Sequence, residues 1–325
     1  MRPVVLDGGM GHQLKAMGIK IEGEVGTLSR FLGVALANST QPELVRDAHV
    51  AYIDAGAEVI TTNSYAVIPG CLKLCADVPE HALDAKVREL VGAAGRAARA
   101  AVAARPEKNV RVAGCLPPLA ESYRADKVGA FEANRAQYAL IAESVAPYAD
   151  LFLCETMSTA AEAAAAAAAA RAVDGDRPVW VSYALRDAPP DGVGGRMPAL
   201  GAAPALRSGE SIDEALAALD AAGVLGGVEG FLVNCCSPEA TSAAIPVLKA
   251  LAPPGAHVGA YANGFVTADS GTGAYRDLSP DEYLAFAADW VASGASVVGG
   301  CCGIFPDHIA RLAAAFDADA ARRVG

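Results

Sequence analysis

Two cysteines stand side by side in VVGGCCGIFP (Val297 to Pro306), with glycine on both flanks, and another thiol pair closes VEGFLVNCC (Val228 to Cys236). Neighbouring cysteines are poorly placed to form a disulfide with each other, because the geometry is strained. Cys301 and Cys302 can therefore be small core residues, a redox pair, or two ligands of a metal whose third ligand lies elsewhere. Three thiolates suit a tetrahedral Zn2+ at about 2.3 Å each, leaving the fourth position for substrate or water. Cys235, Cys301 and Cys302 make such a set if the fold brings their segments together. An all-sulfur site favours a soft fourth ligand, so a thiol substrate is the natural candidate. A zinc-bound thiol is deprotonated at neutral pH and becomes a nucleophile. The interval between Cys235 and Cys301 fits no short zinc-finger rule, so the positioning has to come from the fold.

Eight short apolar runs, each followed by a helical pattern, recur along the chain: residues 4–10, 57–65, 110–118, 150–157, 179–185, 228–236, 257–264 and 296–303. Unbroken runs of valine, isoleucine and aromatic residues suit strands covered on both faces, as in a parallel sheet. Between them lie helices with readable ends. TQPELVRDAHVAYIDAGA offers Thr40 as a cap, Pro42 inside the start and a stop at Gly56. Ser211 with Glu214 reads as a capping box on a helix ending at Gly223. Ser279, Pro280 and Gly294 repeat that grammar. Eight strand–helix units in 325 residues fit a single (β/α)8 TIM barrel domain spanning 1–325. The first strand's DGGMG lacks the glycine order of a dinucleotide site, which counts against an open doubly wound sheet. The loop 186–204 is long enough for a lid or an insertion.

In such a barrel the active site lies at the carboxyl ends of the strands. Asp7 closes the first strand, Thr62, Asn63 and Ser64 the second, Glu155 the fourth, Asn234 and Cys235 the sixth, and Cys301 and Cys302 the eighth. Adjacent ligands would point to opposite faces of a regular strand, and Gly299, Gly300 and Gly303 allow the backbone to leave strand geometry there. The five histidines show no ligand spacing, and helix or surface positions account for them.

Composition narrows the class. Apolar residues make up 53% and charged residues 19%, which argues for a large buried interior. A net charge of −11 removes the electrostatic footprint expected for nucleic acid or anionic membrane. AAEAAAAAAAAR (160–171) is too short to span a bilayer, which takes about 20 residues. The N-terminal residues leave no room for a secretory signal, so a cytoplasmic location is expected. Eight cysteines in a chain this long are no disulfide scaffold, and clustered thiols in a reducing compartment point to metal binding or catalysis.

LDGGMG at the start, TTNSY, CETM, VNCC and GGCCG, in that order from Leu6 to Gly303, together resemble the homocysteine S-methyltransferases. The resemblance implies a zinc-dependent barrel that moves a methyl group onto homocysteine sulfur to make methionine. Carried over, the family's ligands fall on Cys235, Cys301 and Cys302. Its acidic residues for the homocysteine ammonium fall on Glu155 and Asp7. Asn234 matches the residue before the first ligand, and backbone and small residues around Gly8, Gly9, Thr62 and Ser64 suit the substrate carboxylate. Stand-alone members of this size take methyl from S-methylmethionine, or less well from S-adenosylmethionine; a cobalamin or folate module would need further domains.

Two departures fall where a donor would enter: AGCLPPLAESYR (113–124) replaces a GS-x-GP-like turn, and YANGFV (261–266) replaces a PN-S/A-G pattern. They leave open another donor, such as betaine or dimethylsulfoniopropionate, a selenol acceptor, or a barrel that binds zinc or thiols without turnover. Tyr65, Tyr123 and Tyr261 could offer cation–π faces to a sulfonium. Cys71, Cys75, Cys115, Cys154 and Cys236 are expected to be packing residues, and the oligomeric state is left open.

Overall fold

The computed structural model describes residues 2–19, 28–76, 78–187, 203–267 and 275–324. All eight expected strands are present: β1 (Val4–Val5), β2 (Val59–Thr61), β3 (Arg111–Leu116), β4 (Leu151–Met157), β5 (Val179–Tyr183), β6 (Val228–Asn234), β7 (His257–Tyr261) and, after an antiparallel ribbon of β8 (Phe265–Thr267) with β9 (Tyr275–Asp277), β10 (Val297–Val298). They form one parallel sheet in the order β1-β10-β7-β6-β5-β4-β3-β2. A parallel bridge between Leu6 and Val59 joins its two edges and closes the barrel. The Asp7 amide donates to the Val59 carbonyl (3.0 Å) and the Glu58 amide to the Val5 carbonyl (2.7 Å), so no edge is left where β1 meets β2.

Burial on both faces explains the strand sequences. Side chains at Leu6, Val59, Ala113, Leu151, Leu153, Trp180, Leu232, Tyr261 and Val297 fill the barrel interior. The residues between them, such as Phe152, Cys154, Val181 and Phe231, face the surrounding helices in the larger core. Period two therefore sorts each strand into an inner and an outer set, both apolar. The amino-terminal end of the barrel is plugged by Trp180, whose ring lies 5.5 Å from that of His257 and under the Arg111 guanidinium at 5.3 Å. That plug leaves the carboxyl ends of the strands as the open mouth.

The helix grammar holds in most places. Helices Ile212–Ala221 and Pro280–Ala292 start with complete capping boxes on Ser211 and Ser279. Gly56, Gly223 and Gly294 all have the positive φ of a helix stop. Thr40 is the exception, because it ends helix Leu28–Thr40 and donates its hydroxyl to the Leu36 carbonyl (3.1 Å). Helix Pro42–Asp54 starts from Gln41 with no side-chain cap. Two preceding helices, Met10–Ala16 and Leu28–Thr40, and the β8–β9 ribbon were not expected from the sequence. The alanine run is helix Ala160–Val173, capped by Thr159 and packed on its small side chains. Among the described residues no helix is long and apolar enough to cross a membrane. The expected lid at 186–204 lies largely outside the described residues.

Trp180 is 1% exposed and at the centre of the plug. Trp180→Ala should destabilise the protein by about 3–5 kcal/mol through lost burial and a residual cavity. Urea unfolding followed by circular dichroism checks this; a loss under about 1 kcal/mol would contradict the packing described.

Candidate active site

At the mouth, the chain leaves β10 through Gly299–Ile304 and leaves β6 through Cys235–Ser237. The two turns bring the Sγ atoms of Cys235, Cys301 and Cys302 within 4.8 Å of one another. Cys235 takes a left-handed backbone (φ 52°), uncommon for a residue with a side chain, and that conformation ends the strand at the triad. Cys235 and Cys301 are joined as a disulfide across 66 positions, with Cα atoms 5.6 Å apart. The bonded pair is thus not the adjacent one. When reduced, the three sulfurs match the donor set of a soft tetrahedral cation, whose ligands stand about 3.8 Å apart for metal–sulfur bonds of about 2.3 Å.

The Gly299–Ile304 turn is fixed from several sides. Cys301 donates its amide to the Ala262 carbonyl (2.9 Å), Gly264 donates to the Cys302 carbonyl (2.7 Å), and Gly300 donates to the Asp7 carbonyl (3.0 Å). The Tyr283 hydroxyl donates to the Gly299 carbonyl (2.7 Å) and the Tyr52 hydroxyl to the Ile304 carbonyl (2.9 Å). The Gly303 amide donates to His12 Nδ1 (2.8 Å), a support that sequence spacing gave no means of finding. Gly8 and Gly9 let the first-strand loop lie directly on this turn. A Cβ on Gly8 would sit 2.4 Å from the Ile304 oxygen, and one on Gly9 2.5 Å from the Cys301 oxygen. The Gly9 amide itself is bonded to the Ile304 carbonyl (2.9 Å).

Two buried carboxyl groups face the same interior. Asp7 accepts the Thr61 amide (2.7 Å) and hydroxyl (3.3 Å), bonds that reach across to β2 rather than into the following turn. Glu155 accepts from the Cys115 thiol (3.4 Å), with the Tyr261 hydroxyl beside it. Burial pushes the Asp7 carboxyl up to about 8, Thr61 pulls it partly back, and Glu155 adds repulsion. Burial raises Glu155 as well. Among the described residues the largest influences on the two acids are burial, hydrogen bonds and a neighbouring acid, so a primary ammonium between them would find two partners and reverse the sign of both effects.

Asn234 links the acid to the thiols. Its Oδ1 accepts the Thr156 amide (3.1 Å) and the Ser182 hydroxyl (2.7 Å), while its Nδ2 donates to Thr156 Oγ1 (2.8 Å). Thr156 sits at φ 62°, within an irregularity of β4 between Cys154 and Met157. Asn234 thereby holds the backbone beside Glu155 with one side chain while its main chain leads into Cys235. Thr62 and Ser64 bond each other (2.9 Å), Thr62 Oγ1 accepts the Cys115 amide (3.0 Å), and Ser64 donates to the Cys115 carbonyl (3.4 Å). Both hydroxyls therefore tie the end of β2 to β3.

The remaining thiols take separate paths. Cys154 faces the outer core, and burial drives its thiol well above the usual range. Cys236 is buried beside the Thr241 hydroxyl (3.3 Å), with burial raising its thiol to about 12. Cys71 is in the outer core, whereas the side chain of Cys75 lies outside the described residues. Cys115, by contrast, belongs to the site through Glu155, although the sequence suggested only packing. Of the three tyrosines, Tyr261 is part of the barrel interior and Tyr65 bonds Ser122 (2.7 Å). The Tyr123 ring carries the Arg207 guanidinium at 4.6 Å, so one cation is already present on that ring.

The sequence profile described as homocysteine S-methyltransferase matches residues 4–316. The chain belongs to the homocysteine S-methyltransferase family. Membership makes it an enzyme of methyl transfer to homocysteine, acting on small molecules. It is 28% identical over 322 residues to a homocysteine S-methyltransferase of Escherichia coli K12, covering 96% of this chain and 94% of that one. A homocysteine S-methyltransferase 1 of Arabidopsis thaliana is 26% identical over 327 residues, covering 94% and 90%. The metallated form of the Escherichia coli homocysteine methyltransferase MmuM superposes with a TM-score of 0.75 at 26% identity, over 97% of this chain and 96% of that one.

The raised Asp7 carboxyl has a consequence for stability. A carboxyl near 3.9 when unfolded and about 8 when folded stabilises the fold fully below pH 4. That contribution is lost progressively as pH rises through about 8. In metal-free, reduced protein the melting temperature of Asp7→Asn relative to the unsubstituted chain should therefore climb from pH 5 to 8 and level off above. A difference that does not vary with pH across this window would contradict the burial assigned to Asp7.

Proposed function

We propose that this chain, working as one domain over 1–325, is a zinc-dependent homocysteine S-methyltransferase whose methyl donor is a sulfonium, S-methylmethionine first and S-adenosylmethionine second. The observation that carries the metal half is the meeting of three sulfurs from β6 and β10 at the open end of the barrel. The description of a solved relative as metallated supports a metal here, and the all-sulfur donor set favours zinc. A reducing compartment such as the cytoplasm suits a site that needs three reduced thiols.

Cys235, Cys301 and Cys302 hold the ion in this reading. Zinc bound there lowers the pKa of an incoming thiol and keeps it as thiolate. Asp7 and Glu155 receive the homocysteine ammonium and fix the direction of its side chain toward the triad. Asn234, through Thr156, keeps Glu155 aimed inward. Gly9, Thr62 and Ser64 already have internal partners, so they brace the wall near Gly8 that receives the substrate carboxylate. The homocysteine sulfur attacks the donor's methyl carbon in line as the carbon–sulfur bond of the sulfonium breaks. The bonding pair stays on the leaving sulfur as a neutral thioether, and the proton of the homocysteine thiol passes to solvent. With S-methylmethionine both products are methionine. The thioether leaves as a neutral group without protonation, so positioning and an activated nucleophile suffice.

Cys301→Ala should release the metal and lower methyl transfer to homocysteine by at least about 1000-fold, since one of three ligands is gone. Elemental analysis and methionine formation from S-methylmethionine check this together. A variant that keeps full activity without zinc would refute the proposal.

A further inference from the structure

A second polar cluster stands at the same mouth, between the ends of β5 and β6, and none of its members belongs to the triad or the carboxyl pair. Arg207 and Asp187 form an ion pair (Nη2 to Oδ1 2.6 Å) with side chains only 17% and 15% exposed. The other Asp187 oxygen accepts the Ser237 amide (2.8 Å), two residues beyond Cys235, which ties the pair to the metal-site turn. The guanidinium lies over the ring of Tyr123 at 4.6 Å, a residue held at φ 68° and 38% exposed at the rim. Arg207 Nε is buried and has no hydrogen-bond partner among the described residues.

A largely buried ion pair is weak as a stabilising device, because desolvation offsets most of its attraction. Here the Nε donor of the guanidinium is also left without a partner among the described residues. Its charges are ordered as a fixed dipole beside the triad. An α-amino acid carries the opposite dipole: its carboxylate matches the guanidinium and its ammonium matches Asp187. In the reading above the homocysteine ammonium goes to Asp7 and Glu155 and its carboxylate to the wall near Gly8, so a second zwitterion at this mouth would be the other substrate.

We infer that Arg207 and Asp187, with Tyr123 orienting the guanidinium, bind the amino-acid tail of the methyl donor. The inference rests on the sulfonium reading above and narrows it to sulfonium donors that carry an α-amino acid. Donors with a lone carboxylate, or with no tail, leave Asp187 or the whole pair without a partner. Tyr123 serves the guanidinium, and its ring is not the seat of the sulfonium.

The test is steady-state kinetics on the reduced, zinc-loaded full chain with S-methylmethionine and with trimethylsulfonium, which has no tail. A charged hydrogen bond of this kind changes affinity about ten- to a hundred-fold. Arg207→Gln should raise the KM for S-methylmethionine by that factor and lower the preference for it over trimethylsulfonium by at least about tenfold. The KM for homocysteine and the zinc content should stay near those of the unsubstituted chain. Arg207→Lys, which keeps the charge and the fold's ion pair, should recover part of the preference; it gives the reading if the glutamine variant fails to fold. An unchanged preference in both variants, or a rise in homocysteine KM instead, overturns the inference. Failure of the unsubstituted chain with both sulfonium compounds strikes the sulfonium reading itself, a result separate from turnover that ignores Arg207.

Discussion

The mouth of the barrel depends on the hydrogen bonds that hold the Gly299–Ile304 turn between the ends of β1 and β7. Cys301 and Cys302 are adjacent, and a regular strand would send them to opposite faces. The backbone instead leaves β10 at Gly299 and is fixed by Ala262, Gly264, Asp7, His12, Tyr52 and Tyr283. Gly303, at φ 79°, completes the turn where a side chain would be strained. Because Gly300 is bonded to the Asp7 carbonyl and Gly9 packs on Cys301, one of the two carboxyl groups and two of the three sulfurs move as a unit. The other acid and the third sulfur are joined to each other by Asn234 between Thr156 and Cys235, and Cys235 is also bonded to Cys301.

This division places strain where the chemistry needs aim. The left-handed residues Thr156 and Cys235 follow Glu155 and Asn234, and Tyr123 stands at the rim. Each is a non-glycine residue in a sparsely populated conformation, and each is over-determined by contacts around it, as strained positions at functional sites commonly are. The buried acids add an electrostatic cost that protonation or a bound cation relieves. A cation bound beside Asp7 would lower its carboxyl again.

Much of this was legible in the sequence. Eight apolar runs became eight strands because residues buried on both faces cannot hide their composition, and the Ser211 and Ser279 capping boxes are local chemistry that tertiary contacts had no reason to override. Strand-end placement also brought Asp7, Glu155, Cys235, Cys301 and Cys302 to one rim. Thr40 was misleading because a threonine can bond back to its own helix as readily as cap the next one. His12, Cys115, Asn234's bond to Thr156 and the Arg207–Asp187 pair depend on contacts between distant segments, and spacing along the chain carries no trace of them. Gly9, Thr62 and Ser64 stood in the right motifs, yet whether a donor is spent inside the protein is visible only once its partners are in place.

The central claim is that three sulfurs from two turns hold one zinc ion and admit the homocysteine sulfur as the fourth ligand. X-ray absorption at the zinc edge of the reduced, loaded protein tests it most directly. The account predicts three sulfur neighbours at about 2.3 Å, rising to four when homocysteine is added. Fewer than three sulfurs, or a first shell indifferent to homocysteine, would contradict it.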